Sequence, residues 1–175
     1  NKEIVKILKA AEKFKAIVVL DEAYSDFCGA TSLKLINDFK NLIILKTMSK
    51  AFGIASLRVG YLISNEENIS NIYKVKPVHE ISGVSFKIAK YLIDNQQVKI
   101  NYINEVYQSK KTLIQFFKKQ QIKYFESDTN FIYFTLNHLN DDFFNFLITK
   151  KVFIKKAPNT VPFSNFLRIT IGNQD

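Results

Sequence analysis

The chain has 175 residues, a formal net charge of +9, 47% hydrophobic residues and 14% aromatics, enough apolar material for a packed core and too much for a disordered segment. Apolar runs such as 17–20 and 42–45 fall far short of the roughly 20 residues that cross a bilayer, and the Lys-rich opening lacks a signal-type apolar stretch and cleavage site. A cytoplasmic protein without a membrane span is therefore expected, and a single cysteine, Cys28, excludes an intrachain disulfide and reads as a small packing residue.

Residues 2–14 place Ile4, Val5, Leu8, Ala11 and Phe14 on one helical face, and 17–20 follow as a β-branched strand. Residues 42–45 and 59–63 read as two more strands. Their lack of strict alternation suits a mostly parallel sheet with flanking helices, so the first part is α/β. After Pro77 the pattern changes. Residues 82–94 and 98–119 read as two amphipathic helices, the second offering Ile103, Val106, Tyr107, Leu113, Ile114 and Phe117 to a core. Strands at 122–125, 131–135, 152–155 and 166–171, with a helix at 139–149, complete a smaller α+β layer. The expected division is 1–77 and 78–175.

Charge does not point to nucleic acid, because the lysines are spread over nearly every segment and no binding motif accompanies them. Of the 25 basic residues only Arg58 and Arg168 are arginine. In so Lys-biased a chain, a surviving guanidinium suggests a need for a planar fork to phosphate or carboxylate. His79 and His138 have no partners at ligand spacing, so no metal site is expected. The aromatic stretches 116–117, 131–134 and 143–146 read as core, and Asn130 as a turn or strand start.

Three segments carry chemistry. Asp21-Glu22-Ala23-Tyr24 puts a carboxylate and a phenol at the carboxyl end of a strand, the edge where open α/β sheets bind ligands; the plain alternative is that Asp21 caps a turn and Tyr24 packs. Thr47-Met48-Ser49-Lys50-Ala51-Phe52-Gly53 followed by Leu57-Arg58-Val59-Gly60 gathers two hydroxyls, an amine and a guanidinium after a second strand, a set suited to a phosphate. Phe166-Leu167-Arg168-Ile169-Thr170-Ile171-Gly172 closes the chain's motifs.

Together these segments resemble the class I/II, fold-type I pyridoxal-phosphate (PLP) aminotransferases, especially their histidinol-phosphate aminotransferase branch. The resemblance implies a PLP-dependent transfer of an amino group between glutamate and a phosphorylated substrate, in amino-acid biosynthesis and by a homodimer. Lys50 would carry the cofactor as a Schiff base and then shuttle a proton, Asp21 would face the pyridine nitrogen, and Tyr24 would donate to the ring oxygen. Thr47, Ser49 and Arg58 would hold the cofactor phosphate, and Arg168 the substrate carboxylate. Lys155 stands where the branch places an arginine resembling a clamp for the substrate phosphate; lysine keeps the charge and loses the fork. The same resemblance admits a threonine-phosphate-type decarboxylase, and a non-catalytic sensing module of a regulator forms a third reading. Family members are about twice as long, so the chain is expected to be the C-terminal half of the enzyme, without its final helix and inactive by itself.

Overall fold

The computed structural model describes residues 2–78, 81–136, 141–158 and 160–172. His79 and His138, and the first two residues of the expected 139–149 helix, lie outside the described residues. Two compact units are formed, Asn1–Ile100 and Asn101–Asp175.

In the first unit, α1 (Lys2–Lys13) leads to β1 (Val18–Asp21), and a short helix α2 (Ser25–Cys28) follows it. Next come β2 (Leu42–Thr47), β3 (Gly60–Ile63), α3 (Glu66–Tyr73) and α4 (Gly83–Asp94). The sheet order is β1-β2-β3. β1 and β2 are parallel, with Asp21 level with Leu45, whereas β3 runs antiparallel to β2, with Gly60 level with Thr47. The expected parallel arrangement thus holds for β1 and β2. The chain between β2 and β3 turns back directly, without the helical crossover that a parallel neighbour needs. Gly60 allows that return to be tight, since a Cβ there would lie 3.2 Å from the carbonyl oxygen of Lys46.

Leu8 of α1 is fully buried against Leu42 and Ile44 of β2, with Ile4, Val5, Val18 and Leu20 packed around them. Each such side chain contributes on the order of 1.5–3 kcal/mol by leaving water. Phe14, expected on this face, is instead 81% exposed. The helix stops at Lys13 and Lys15 adopts a left-handed φ of 54°, so Phe14 no longer follows the helical period. A second cluster joins Met48, Phe52 and Val59 to Ala89 and Leu92 of α4. Ser82 caps α4, its hydroxyl accepting from the Ser85 amide at 3.1 Å.

Helix α5 (Gln96–Lys119) begins in the first unit and continues in the second, which adds β4 (Lys123–Phe125), β5 (Phe131–Thr135), α6 (Asp141–Thr149), β6 (Lys155–Lys156) and β7 (Leu167–Thr170). Its antiparallel sheet has the order β4-β5-β7-β6. Val106, Phe117, Ile132, Phe134 and Leu167 are buried, while Tyr107, Phe116 and Phe146, all expected inside, are exposed. β6 is two residues long and shares only Lys155 with the expected 152–155 strand. Lys110, buried on α5, donates to the carbonyl oxygens of Ser127 and Thr129 and so ties down the turn before β5. Burial pushes this ammonium below its ordinary value, with Asp128 and Glu126 pulling the other way. Asn130 is buried at the start of β5, where its carbonyl accepts from the Ile171 amide at 2.8 Å. Among the described residues no helix is long and apolar enough to cross a membrane.

Candidate active site

Because β1 and β2 are parallel neighbours, their carboxyl ends open on one edge, and the chemistry-bearing segments leave the sheet side by side. Beyond β1, Asp21 accepts from the Ala23 amide at 2.9 Å, an Asx turn that bends the chain into Tyr24 and α2. Both plain and chemical readings of Asp21 are compatible with this bond, which engages one carboxylate oxygen. A cleft of about 400 Å³ opens beside the segment, lined among others by Leu20, Asp21, Tyr24, Cys28 and Thr31. Cys28 is exposed here and is not the packing residue expected from its type.

Beyond β2, the Thr47 hydroxyl accepts from the Ser49 amide at 3.1 Å and reaches the Val59 carbonyl at 3.4 Å. These bonds fold the Lys50 loop back over the start of β3. Gly53, with φ of 71°, supplies the left-handed turn that ends it. Lys50 emerges half-buried, its Nζ 5.4 Å from the centre of the Tyr24 ring. Arg58 is exposed at the loop's far end, with φ of 54°, and its Nη1 donates to the Ala55 carbonyl at 3.0 Å. Asp21, Tyr24, Thr47, Ser49, Lys50 and Arg58 all belong to the first unit.

Sequence reasoning missed what stands beside this edge. Glu22, buried, accepts from the Thr31 hydroxyl at 2.7 Å and the Ser32 amide at 2.6 Å, and pairs with Lys46 Nζ at 3.1 Å. Lys46 also donates to the Ser25 hydroxyl at 2.6 Å. The available signal was a lone lysine in the apolar run of β2. Burial works against the Glu22 charge, yet the bonds from Thr31, Ser32 and Lys46 outweigh it and hold the carboxyl below its ordinary value of 4.5. A depressed carboxyl stabilises the fold above the unfolded-state value and loses that contribution as pH falls through the lower folded value. The melting temperature of the wild type is therefore expected to drop more steeply than that of Glu22→Gln as pH is lowered from 5 towards 3. Parallel curves in thermal melts at stepped pH would remove Glu22 as the source.

In the second unit, Arg168 sits at the centre of the sheet, level with Tyr133 on one side and Lys155 on the other. Paired positions on neighbouring strands lie on one face, about 4.5–5.5 Å apart at Cβ. The two basic residues singled out in the sequence are thus brought together. The Arg168 guanidinium lies 5.0 Å from the centre of the Phe131 ring, and its Nε is buried with no hydrogen-bond partner. Two cations side by side and an unsatisfied guanidinium N–H suit an anion.

Residues 1–175 match the family described as aminotransferase class I and II. The chain belongs to the class I and II aminotransferases. Among curated relatives, the histidinol-phosphate aminotransferase of Caldanaerobacter subterraneus subsp. tengcongensis is 34% identical over 171 residues, which cover 97% of this chain and 48% of that protein. The chain therefore spans about half the length of the curated relatives it matches. Among solved structures, the histidinol-phosphate aminotransferase of Sinorhizobium meliloti in complex with pyridoxal-5'-phosphate superposes with a TM-score of 0.77 at 22% identity, covering 90% of this chain and 45% of that one. The L-threonine-O-3-phosphate decarboxylase of Porphyromonas gingivalis gives 0.78 at 20% identity, covering 99% and 55%. Likeness at these identities establishes the shared fold, that of the fold-type I aminotransferases. For this aminotransferase chain, the fold class expected from the sequence is the one observed.

Proposed function

We propose that this chain is the lysine-bearing part of a PLP-dependent aminotransferase that exchanges an amino group between glutamate and a phosphorylated substrate of the histidinol-phosphate type. The observation that carries the reading is the meeting of Lys50 with Tyr24 at 5.4 Å, on the edge where Asp21 also leaves the sheet. Because the chain spans about half of its relatives, the activity is assigned to the whole polypeptide and not to these 175 residues alone.

The donor set fits PLP in kind. An amine, a carboxylate and a phenol stand together, with two hydroxyls and a guanidinium on the adjoining loop. PLP presents a carbonyl carbon, a pyridine nitrogen, a ring hydroxyl and a phosphate, one counterpart for each. When bound, the cofactor supplies an electron sink for the carbon that loses its proton. Lys50 would hold the cofactor through its amine and would move a proton at its Nζ. Asp21 holds the proton at the pyridine nitrogen through its negative charge. Tyr24 donates its phenol to the ring oxygen, and Thr47, Ser49 and Arg58 bind the phosphate. Arg168 takes the substrate carboxylate and Lys155 the substrate phosphate, a division supported by their shared face and the unsatisfied Nε of Arg168.

Arg58→Lys keeps the charge and loses the fork. One lost charge-assisted hydrogen bond, about 1.5–3 kcal/mol, should weaken PLP binding on the order of tenfold or more in a spectroscopic titration. Unchanged affinity would take Arg58 out of the phosphate site. The function is tested by incubating the whole polypeptide with PLP, glutamate and a phosphorylated keto acceptor. Formation of 2-oxoglutarate supports the reading. Carbon dioxide release from a phosphorylated amino acid, without 2-oxoglutarate, would assign the decarboxylase chemistry instead. No turnover of either kind, with ligand binding intact, would favour a sensing module.

A further inference from the structure

Of the polar groups that this reading leaves without a task, the buried cluster around Lys46 is the most elaborate. Lys46 and Glu22 retain only 13% and 6% of their side-chain exposure and stand 3.1 Å apart. Glu22 closes the loop after β1 on itself by accepting from Thr31 and Ser32, and Lys46 fastens that loop to β2 through Ser25, the residue after Tyr24. The backbone adds one more tie, Glu22 N–H to the Leu45 carbonyl at 2.9 Å.

Strand alternation turns this pair to the other face from Asp21. Asp21 is level with Leu45, so the next residues along the two chains, Glu22 and Lys46, project from the other face. The ion pair is buried, and Glu22 and Ser25 border the same cleft as Asp21 and Tyr24. It lies between two lever arms, with Tyr24 two residues beyond Glu22 and Lys50 four residues beyond Lys46. A buried ion pair is a poor way to gain stability, because desolvation offsets most of the attraction. Its distinguishing property is a fixed geometry, which apolar side chains of similar size do not enforce.

We infer that the Lys46–Glu22–Ser25 cluster is a positioning brace, setting the separation of Lys50 from Tyr24 and so the geometry in which Lys50 meets the cofactor. The inference rests on the assignment of Lys50 as the cofactor lysine. Misplacement of a reacting group by about 1 Å costs on the order of a hundredfold in rate, so a looser brace acts on kcat while substrate binding is left nearly intact.

The test uses the whole enzyme and reads kcat, KM for glutamate, the absorption band of bound PLP and the melting temperature. Lys46→Met should lower kcat about tenfold or more, shift the band and leave KM within about twofold. Lys46→Arg, which can still pair with Glu22, should recover both kcat and the band. The deciding variant is the double replacement Glu22→Gln with Lys46→Met, which removes both charges together while the Gln oxygen still accepts from the Ser32 amide, and should regain most of the melting temperature lost in Lys46→Met without regaining kcat or the band. Wild-type kcat and band in that variant would overturn the brace and leave the cluster structural. Should the double variant fail to fold, Glu22→Gln decides in the same way, since its one oxygen still accepts from the Ser32 amide, its NH2 can donate to the Thr31 hydroxyl, and the charge facing Lys46 is lost. Borohydride labelling of Lys50 in the wild type, run alongside, separates a failed brace from a wrong cofactor lysine.

Discussion

Turnover of the whole enzyme is expected to fall by at least about 10³-fold when Lys50 is replaced by alanine. A positioned acid-base group contributes roughly 10²–10⁴ in rate, and Lys50 would serve both as cofactor anchor and as proton carrier. Neighbouring amines are tied elsewhere: Lys46 to Glu22 and Ser25, and Lys99 to Asp26 at 2.9 Å. Neither is free to take over without breaking a part-buried ion pair. The fold should tolerate the change, because Lys50 is half-buried and its approach to the Tyr24 ring is worth on the order of 1 kcal/mol. Steady-state assay together with a melting curve checks both points; a folded Lys50→Ala enzyme within tenfold of wild type would remove Lys50 from the chemistry.

The second large effect is expected at Asp21. Asp21→Asn keeps an oxygen for the Ala23 amide, so the turn into Tyr24 survives. What disappears is the negative charge that would hold a proton on the pyridine nitrogen. An opposite charge at close range shifts such a proton equilibrium by about 1–3 pKa units, so kcat should fall about 10–10³-fold. Cofactor affinity should change far less, since the phosphate contacts are untouched. Parallel measurement of kcat and PLP affinity distinguishes this from a turn-capping role, in which kcat would stay at the wild-type level.

The sequence was most informative where chemistry and strand ends coincide. Asp21 and Lys50 each follow an apolar run, and parallel pairing of those runs brings their ends to one edge. Arg168 and Lys155 lie thirteen residues apart in sequence, and their pairing across β7 and β6 depends on a sheet register that no local pattern encodes. The pairing of Glu22 with Lys46 is hidden in the sequence for a related reason: a charged residue looks solvated until a partner 24 residues away buries it. Helix α3 was missed although its signals were present, with Asn65 accepting from the Asn68 amide and Glu66 and Glu67 in the first turn. It is only eight residues long and has no buried side chain, so hydrophobic periodicity, the strongest cue, was absent. Phe14 and Cys28 show the converse, apolar residue types left outside because the backbone turned before they reached the core.

The roles given to Asp21 and Tyr24 depend on which lysine carries the cofactor. The measurement is borohydride reduction of the PLP-loaded whole enzyme, followed by digestion and mass spectrometry of the labelled peptide. The label is expected on Lys50, and the same treatment of Lys50→Ala should leave no comparable site among the lysines that remain in this chain. Label on Lys46, or on any other lysine of the wild type, would contradict the assignment and with it the roles given to Asp21 and Tyr24.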